Sequence, residues 1–275
     1  MAIITISREL AALGDETAKE LSKYLSYRFI DKYMLEELIK NYITGSTIEK
    51  YDERNPSFFA SISEDRDNYL HYLKTAILDE AKDDNCVFIG RGAFAVLENA
   101  IGVIPIFLVS SIKTRIERVK SYFRCDEKRA KQIIEQSDEA RSGFHRFFFE
   151  KEWKAAQNYH ITLNTSVIHP SICAQIIKNF TLNNDGNTIQ TNAGRSLKDM
   201  ILAQKIIHHI KYEKHIDIHF LEASVSDGKA ALYGIANSML MINAVSSAAL
   251  EVPGVTDVHS DIQIIQEYSI YPYKI

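Results

Sequence analysis

Apolar runs and amphipathic stretches alternate along roughly the first 180 residues of the chain. An Ile-rich run covers residues 2–7, and further apolar runs lie within residues 85–93, 103–111 and 159–166. Each run has the length and uniform hydrophobicity of a buried strand. Between the runs, apolar side chains recur every three or four residues, which predicts helices, the first over residues 16–25. Residues 27–43 predict a short strand followed by a helix.

This alternation of strands and helices predicts an α/β fold, in which helices cover both faces of an open parallel sheet. In such sheets, ligands bind beyond the carboxyl ends of the strands. Polar segments follow three of the predicted strands, and they read SRELAALGDE, GRG and SSIKTR. We therefore expect the functional site at that edge of the sheet.

The pattern changes after residue 181, which divides the chain into three predicted parts. Residues 1–181 form the α/β domain, and residues 182–195, rich in Asn, Gly and Thr, form a linker. Residues 196–275 predict a small α+β domain with an amphipathic helix, two alternating strands, a second helix and a last strand. The dipeptide Asp227-Gly228 predicts the hairpin between its two alternating strands.

Composition narrows the class of protein. The 275-residue chain is 46% hydrophobic and 25% charged, which is typical of a globular protein. A net charge of −4 argues against a surface that binds nucleic acid. The three scattered cysteines, Cys86, Cys125 and Cys173, indicate free thiols in a reducing compartment. The first residues show no export signal and no membrane span, so we expect a cytoplasmic protein.

The segment ISRELAALGDETAKEL, residues 6–21, connects the first strand to the first helix. A loop in this place binds phosphate when glycines let its N–H groups converge on the anion. This chain has Ala11, Ala12 and Leu13 where glycines are expected, a single Gly14, and an acid, Asp15, at the start of the helix. One interpretation is an altered phosphate loop. The alternative is that Asp15 caps a core helix that binds nothing.

The segments ISRE, VFIGRGA, IFLVSSIKTRIERV, SDEAR and NYHITLNTS occur in an order that resembles the cytidylate kinase-like family of P-loop nucleoside monophosphate kinases. The likeness covers about residues 2–180. In that family the first loop usually reads like ISREFGSGGREIA. The chain departs from it at Ala11, Leu13 and Asp15, and it retains Ile6, Ser7, Arg8, Glu9, Gly14, Glu16 and Ala18.

The resemblance implies a P-loop kinase-like sheet with a helical lid, ATP and Mg²⁺ as cofactors, and a nucleoside monophosphate as substrate. It implies that the donor nucleotide is bound by Ser7, Arg8, Gly14, Asp15, Glu16 and Thr17. The implied substrate-binding residues are Asp31, Arg91, Asp138 and Arg141. The implied catalytic residues are Arg8, Arg118, Arg124 and Arg141.

Structural roles remain open for several of these residues. Arg91 would pair with a surface carboxylate, and Asp31 would cap a helix. Residues 112–154 contain 12 Lys and Arg against 8 Asp and Glu. That excess fits a lid that closes over phosphates, and it fits equally a solvated pair of helices joined by ion pairs.

The C-terminal domain resembles a BON domain through DIHFLEASVSDGKAALYGIANS, the segment AALEVPGVTDVHSDIQI and above all the turn at Gly254, Val255, Asp257 and Val258. This resemblance implies a phospholipid, a small ligand or a protein as its partner. Four nearby histidines show no fixed ligand spacing, so no metal site is predicted. They are His208, His209, His215 and His219.

Together these features favour a cytoplasmic nucleoside monophosphate kinase-like protein that transfers the ATP γ-phosphoryl group to a pyrimidine monophosphate such as CMP. The C-terminal domain would then be a regulatory or ligand-binding module, and a homo-oligomer is compatible with the sequence. The alternatives are a catalytically inactive nucleotide sensor with a degenerate phosphate loop, and a lipid-binding adaptor that acts through the C-terminal domain.

Overall fold

The computed structural model describes residues 2–40, 42–43, 64–98, 100–183 and 196–265. The chain forms two compact units, Met1–Gly194 and Arg195–Ile275. In the part of the chain that is described, no helix combines the length and the hydrophobicity that crossing a membrane requires.

Strands and helices alternate through the described residues of the first unit. The strands are β1 (Ile3–Arg8), β2 (Arg28–Ile30), β3 (Cys86–Ile89), β4 (Val103–Val109) and β5 (Ile161–Asn164). The helices are α1 (Gly14–Leu25), α2 (Lys32–Ile39), α3 (Glu64–Ala81), α4 (Ala93–Val96), α5 (Ile112–Phe123), α6 (Glu127–Phe149) and α7 (Pro170–Asn183), with a 3₁₀ turn at Ala156–Asn158.

The five strands form one sheet in the order β2-β3-β1-β4-β5, and every neighbouring pair is parallel. All six residues of β1 are buried, as expected for the central strand. The predicted open parallel sheet is confirmed. Because all strands run the same way, the segments that follow β1, β3 and β4 emerge at one edge.

Helices cover both faces of this sheet because side chains alternate along each strand. On one face, Ile4 and Ile106 pack against apolar residues of α1 and α7. On the other, Phe107 packs against Phe94 of α4 and against Trp153 and Tyr159, which precede β5. Packing on both faces therefore fixes the strands, and with them the carboxyl ends from which the polar segments emerge.

The second unit contains α8 (Leu197–His208), a π-helical turn (His209–Glu213), β6 (His219–Ser226), β7 (Lys229–Ala236), α9 (Met239–Leu250), β8 (Asp257–Ser260) and β9 (Gln263–Ile264). Its sheet runs β6-β7-β8, and β9 pairs with β7. Asp227 and Gly228 both have positive φ, 51° and 80°, between the antiparallel strands β6 and β7. The predicted hairpin and the α+β class are confirmed.

Element ends differ from the sequence expectation by one or two residues. β1 extends to Arg8 and α1 begins at Gly14, because the first turn of a helix needs no apolar residue. At the other end of the unit, α7 includes Leu182 and Asn183, which the sequence places in the linker. The remainder of that predicted linker, residues 184–195, lies outside the described residues.

Candidate active site

A five-residue loop, residues 9–13, connects β1 to α1. Ala11 and Leu13 have φ values of 60° and 53°, so both adopt the left-handed conformation. That conformation costs a residue with a Cβ about 1–2 kcal/mol, whereas glycine adopts it freely. The backbone therefore keeps, at both positions, the geometry that the glycines of a phosphate loop favour.

Helix α1 begins at Gly14 without a side-chain cap, because Leu13 has no polar side-chain atom to offer. Asp15 and Glu16 lie within the first turn, so the expectation that Asp15 caps the helix is wrong. The Thr17 hydroxyl donates to the Leu13 carbonyl oxygen at 2.8 Å. As at any helix start, the first-turn N–H groups and the positive end of the helix dipole point from α1 toward the preceding loop.

Two residues at the end of β1 belong to the predicted donor site. Ser7 is buried, and its side chain forms a hydrogen bond with Tyr159. Arg8 is also buried, and its Nε lies 4.0 Å from Oδ2 of Asp15. The structure therefore brings Arg8, Gly14, Asp15, Glu16 and Thr17 together around one helix N-terminus.

Two arginines of α5 hold the outer side of this loop. Arg115 Nε donates to the Leu10 carbonyl oxygen at 2.8 Å, and Arg118 Nη1 donates to the Ala11 carbonyl oxygen at 2.9 Å. Arg118 also donates to the carbonyl oxygen of Thr165, after β5, at 2.7 Å. Burial lowers the pKa of Arg118, although Glu16 partly opposes the shift. These contacts fix the carbonyl oxygens of Leu10 and Ala11 against α5.

A network of charges extends these contacts to α6. Arg115 forms two hydrogen bonds with the Asp138 carboxylate, at 3.0 and 2.7 Å, and lies 3.2 Å from the Glu9 carboxylate. Lys154 Nζ donates to Glu9 at 3.0 Å and to Asp138 at 2.8 Å. Glu9 also accepts from the Ser110 N–H at 3.0 Å. Two acidic and two basic side chains therefore connect the loop after β1 with the end of β4, with α5 and with α6.

The network perturbs the ionisation of its members. Burial alone would raise the pKa of Asp138, but hydrogen bonds from Arg115 and Lys154 outweigh it and hold that pKa below its usual value. Burial opposes the charge of Lys154, and its hydrogen bonds to Asp138 and Glu9 raise its pKa overall. Both groups are therefore charged across the physiological range.

Arg91 follows β3 and lies between Gly90 and Gly92, and all three residues have positive φ. Its side chain is 1% exposed. Arg91 donates to the Tyr69 hydroxyl at 3.1 Å and forms an ion pair with Glu36 of α2. Burial, together with the charge of Arg8, lowers the pKa of Arg91 to about 10. Glu36 is half-buried, so the pairing with a carboxylate that the sequence left open for Arg91 is present, although Arg91 itself is buried.

The acidic residues predicted to bind substrate have structural contacts. Asp31 caps α2, since its Oδ1 accepts from the N–H groups of Tyr33 and Met34 at 2.9 and 3.1 Å. This is the structural alternative that the sequence left open for Asp31. Asp138, as described above, pairs with Arg115 and Lys154. Within the described contacts, both carboxylates orient other parts of the site.

The two remaining lid arginines differ in environment. Arg141 is 3% exposed and donates to Ser137 Oγ at 2.6 Å. Arg124 is exposed, and it ends α5 in the left-handed conformation. The helical pair of α5 and α6 carries surface ion pairs, such as Lys131 with Glu127, along with the buried network.

Sequence reasoning did not assign Glu9, Lys154, Glu36 or Tyr69 to the site. Glu9 could have been found, because an acid inside a phosphate loop requires a nearby cation. Glu36 could have been suspected from its spacing of four residues from Lys32, whose Nζ lies 3.7 Å from it. Lys154 and Tyr69 give no comparable signal, because only the folded chain brings them to their partners.

Two of the four histidines singled out in the sequence, His208 and His209, lie near the acid Glu213. His209 contacts Glu213 at 2.5 Å and Glu251 at 3.3 Å, and His208 stacks on Tyr212. No group of three or more His, Cys, Asp or Glu side chains with the geometry of a metal site is found among the described residues.

Comparisons with known proteins agree with this geometry. The model of the cytidylate kinase-like family matches residues 3–167, and the model of the BON domain matches residues 198–266. No curated protein matches the sequence.

One solved structure shows a similar fold, and two others align with lower TM-scores. An uncharacterized protein from Eubacterium ventriosum ATCC 27560 aligns over 67% of this chain and 100% of its own, with 20% identity and a TM-score of 0.53. Shikimate kinase from Acinetobacter baumannii, in complex with shikimate, aligns over 69% of this chain and 96% of its own, with 15% identity and a TM-score of 0.40. Shikimate kinase from Bacteroides thetaiotaomicron aligns over 66% and 99%, with 13% identity and a TM-score of 0.43.

Proposed function

The chain belongs to the cytidylate kinase-like family and carries a C-terminal BON domain, and on that basis we propose that it transfers the γ-phosphoryl group of ATP to a pyrimidine nucleoside monophosphate such as CMP. An oxygen of the acceptor phosphate would attack the γ-phosphorus. The bond to the bridging oxygen would break, and ADP would leave. Such a transfer depends on positioning and charge, with little covalent chemistry from the protein.

One observation carries this proposal. Arg8 ends β1 and Arg91 follows the neighbouring parallel strand β3, and their side chains are 8% and 1% exposed. Burial lowers the pKa of Arg91 and the charge of Arg8 lowers it further, so a second positive charge acts on Arg91 beside its ion pair with Glu36. A phosphoryl group bound between Arg8 and Arg91 would relieve the repulsion of their charges and accept hydrogen bonds from both.

On the donor side, the left-handed loop and the uncapped start of α1 fit the phosphates of ATP. We assign the donor contacts to Ser7, Arg8, Gly14, Asp15, Glu16 and Thr17. Of the acids Asp15, Asp31 and Asp138, only Asp15 has no structural hydrogen bond among the described contacts, and its side chain is 58% exposed. Asp15 would hold Mg²⁺, which would neutralise charge on the donor phosphates.

On the acceptor side, we assign the monophosphate to Arg91, with Glu36 and Tyr69 orienting its guanidinium. Asp31 contributes through α2, whose start it caps, and Asp138 contributes through Arg115. Arg118 acts as a positioning residue for the loop, whereas Arg124 and Arg141 would add positive charge when the lid of α5 and α6 closes.

The test is the release of ADP from ATP and Mg²⁺ with CMP, dCMP, UMP and AMP supplied singly. We expect one pyrimidine monophosphate to stimulate turnover, and Arg91→Glu to abolish it by placing a negative charge at the acceptor phosphate. Arg129→Glu is the matched control, because Arg129 is exposed on α6. Unchanged activity in Arg91→Glu would contradict the assignment. A folded wild-type protein that turns over no acceptor would favour a nucleotide sensor instead.

For the BON domain we propose a regulatory role through a small ligand, a lipid or a protein partner. We place the reaction in the cytoplasm, because the three cysteines are free thiols and such thiols persist in reducing compartments.

A further inference from the structure

The loop after β1 has the length of an ordinary phosphate loop, but a glycine and a cationic residue have exchanged positions in it. In the motif G-x-x-x-x-G-K-[ST], a glycine stands at the first position and a lysine at the seventh. Here β1 ends at Arg8 and α1 begins at Gly14, which are six positions apart. The arginine therefore occupies the place of the first glycine, and a glycine occupies the place of the lysine.

The structure shows why the two residues depend on each other. A Cβ atom added to Gly14 would lie 2.5 Å from Cγ, 2.8 Å from Cβ and 3.2 Å from Cδ of Arg8. The stem of Arg8 thus runs through the space that a side chain at position 14 would enter. Gly14 is absent from the residues with positive φ, so its backbone conformation does not require glycine. The packing of Arg8 requires it.

Charge placement agrees with the packing. The Arg8 side chain is 8% exposed, and its Nε lies 4.0 Å from Oδ2 of Asp15 in the first turn of α1. Its charge is also felt by Arg91 on the acceptor side. The Arg8 side chain therefore lies against the start of α1, at the end of the strand that neighbours β3, after which Arg91 follows.

We propose that Arg8 replaces the phosphate-loop lysine: its guanidinium, delivered from the end of β1, binds the transferring phosphoryl group, and Gly14 leaves room for its stem. This inference rests on the proposed function for the identity of the donor. Beyond that function, Arg8 gains a specific role, and the space taken by its stem explains why residue 14 is a glycine. The positive charge reaches the phosphate from the opposite side of the loop.

The test exchanges these side chains in the full-length chain. Arg8→Gln removes the charge but keeps much of the stem, and we expect it to lower kcat at least 100-fold. The KM for the acceptor should change less than about threefold. Arg8→Lys, which keeps the charge, should retain more activity than Arg8→Gln. Arg129→Gln is the matched control, and thermal melts verify that each variant is folded.

The reciprocal exchange tests the pairing of the two positions. Gly14→Lys alone should be inactive, because its side chain collides with the stem of Arg8. The double variant Arg8→Gly/Gly14→Lys restores the ordinary arrangement, and it should be at least tenfold more active than Arg8→Gly. Activity of Arg8→Gln within threefold of wild type would overturn the proposal.

Calorimetric binding of ATP and of inorganic tripolyphosphate, without an acceptor, separates this inference from the proposed function. If no acceptor is phosphorylated but the wild type binds tripolyphosphate and Arg8→Gln does not, the kinase assignment fails and the role of Arg8 stands. Equal binding by both proteins overturns the role of Arg8, whatever the turnover. A wild type that binds neither compound overturns both.

Discussion

At the scale of single residues, the loop is distinguished by alanine and leucine in the left-handed conformation. Ala11 has a φ of 60°, which costs about 1–2 kcal/mol for a residue with a Cβ. Glycine would remove that strain but would also enlarge the entropy of the unfolded chain by roughly 0.5–1 kcal/mol. We therefore expect Ala11→Gly to leave the free energy of unfolding unchanged or to raise it by up to about 1.5 kcal/mol.

The control for this prediction is Gln136→Gly, at an exposed position inside α6. There the backbone is helical, so glycine should destabilise the protein by roughly 0.5–1 kcal/mol. Urea denaturation of both variants is the measurement. If Ala11→Gly destabilised the protein as much as Gln136→Gly does, the left-handed strain at position 11 would be refuted.

The residue types of the site were readable from the sequence, but their contacts were not. Arg8 and Arg91 could be predicted because each follows an apolar run that ends in a polar segment. The hydrogen bonds from Arg115 and Arg118 to the loop carbonyls could not be predicted, because each joins residues more than 100 positions apart. Arg118 consequently looked like a lid residue, whereas its contacts lie against the loop.

At the scale of secondary structure elements, the charge network holds the loop, β4, α5 and α6 together. Asp138 has a lowered pKa, so its ionised form stabilises the folded state. This stabilisation is fully present above the unfolded pKa of about 3.9 and is lost as the pH falls through the lower folded value. Asp138→Asn should cost about 1–3 kcal/mol near pH 7, because it leaves the buried Arg115 with one charged partner fewer.

The measurement for Asp138→Asn is Tm between pH 2 and pH 8. The gap in Tm between wild type and variant should be constant from pH 5 to pH 8, and it should shrink below about pH 4. Glu139→Gln, at the next and exposed position of α6, should show no such gap. A gap that persisted at pH 2 would mean that the carboxylate charge of Asp138 contributes nothing.

Element types were predictable because strands and helices have different hydrophobic periods, and the predicted strands of the sheet are all present. The start of α1 was less predictable. Its first turn, with Gly14 and Asp15, has neither an apolar stripe nor a polar cap, and the loop geometry before it alone determines where the helix begins.

At the scale of the whole molecule, the two units have separate hydrophobic cores. The buried cluster of the second unit contains residues from Ala203 to Ile262 alone. We therefore expect residues 196–275, expressed alone, to fold with a cooperative thermal transition. A domain of this size has limited stability, so a Tm lower than 60 °C is compatible with this prediction.

Circular dichroism and two-dimensional NMR of the isolated 196–275 segment provide the measurement. Dispersed amide resonances and a sigmoidal melt are the expected result. A spectrum typical of an unfolded chain would show that this core requires the first unit.

Phosphoryl transfer between nucleotides by the first unit is tested most directly by following the γ-phosphoryl group of ATP. Full-length protein is incubated with ATP labelled at the γ-phosphate, Mg²⁺ and CMP, and the products are separated. We predict that the label appears in CDP, that Arg8→Gln and Arg91→Glu lose this product, and that Arg129→Gln keeps it. Label found only in inorganic phosphate or remaining in ATP, with folded wild-type protein and with each monophosphate tried, would contradict the account.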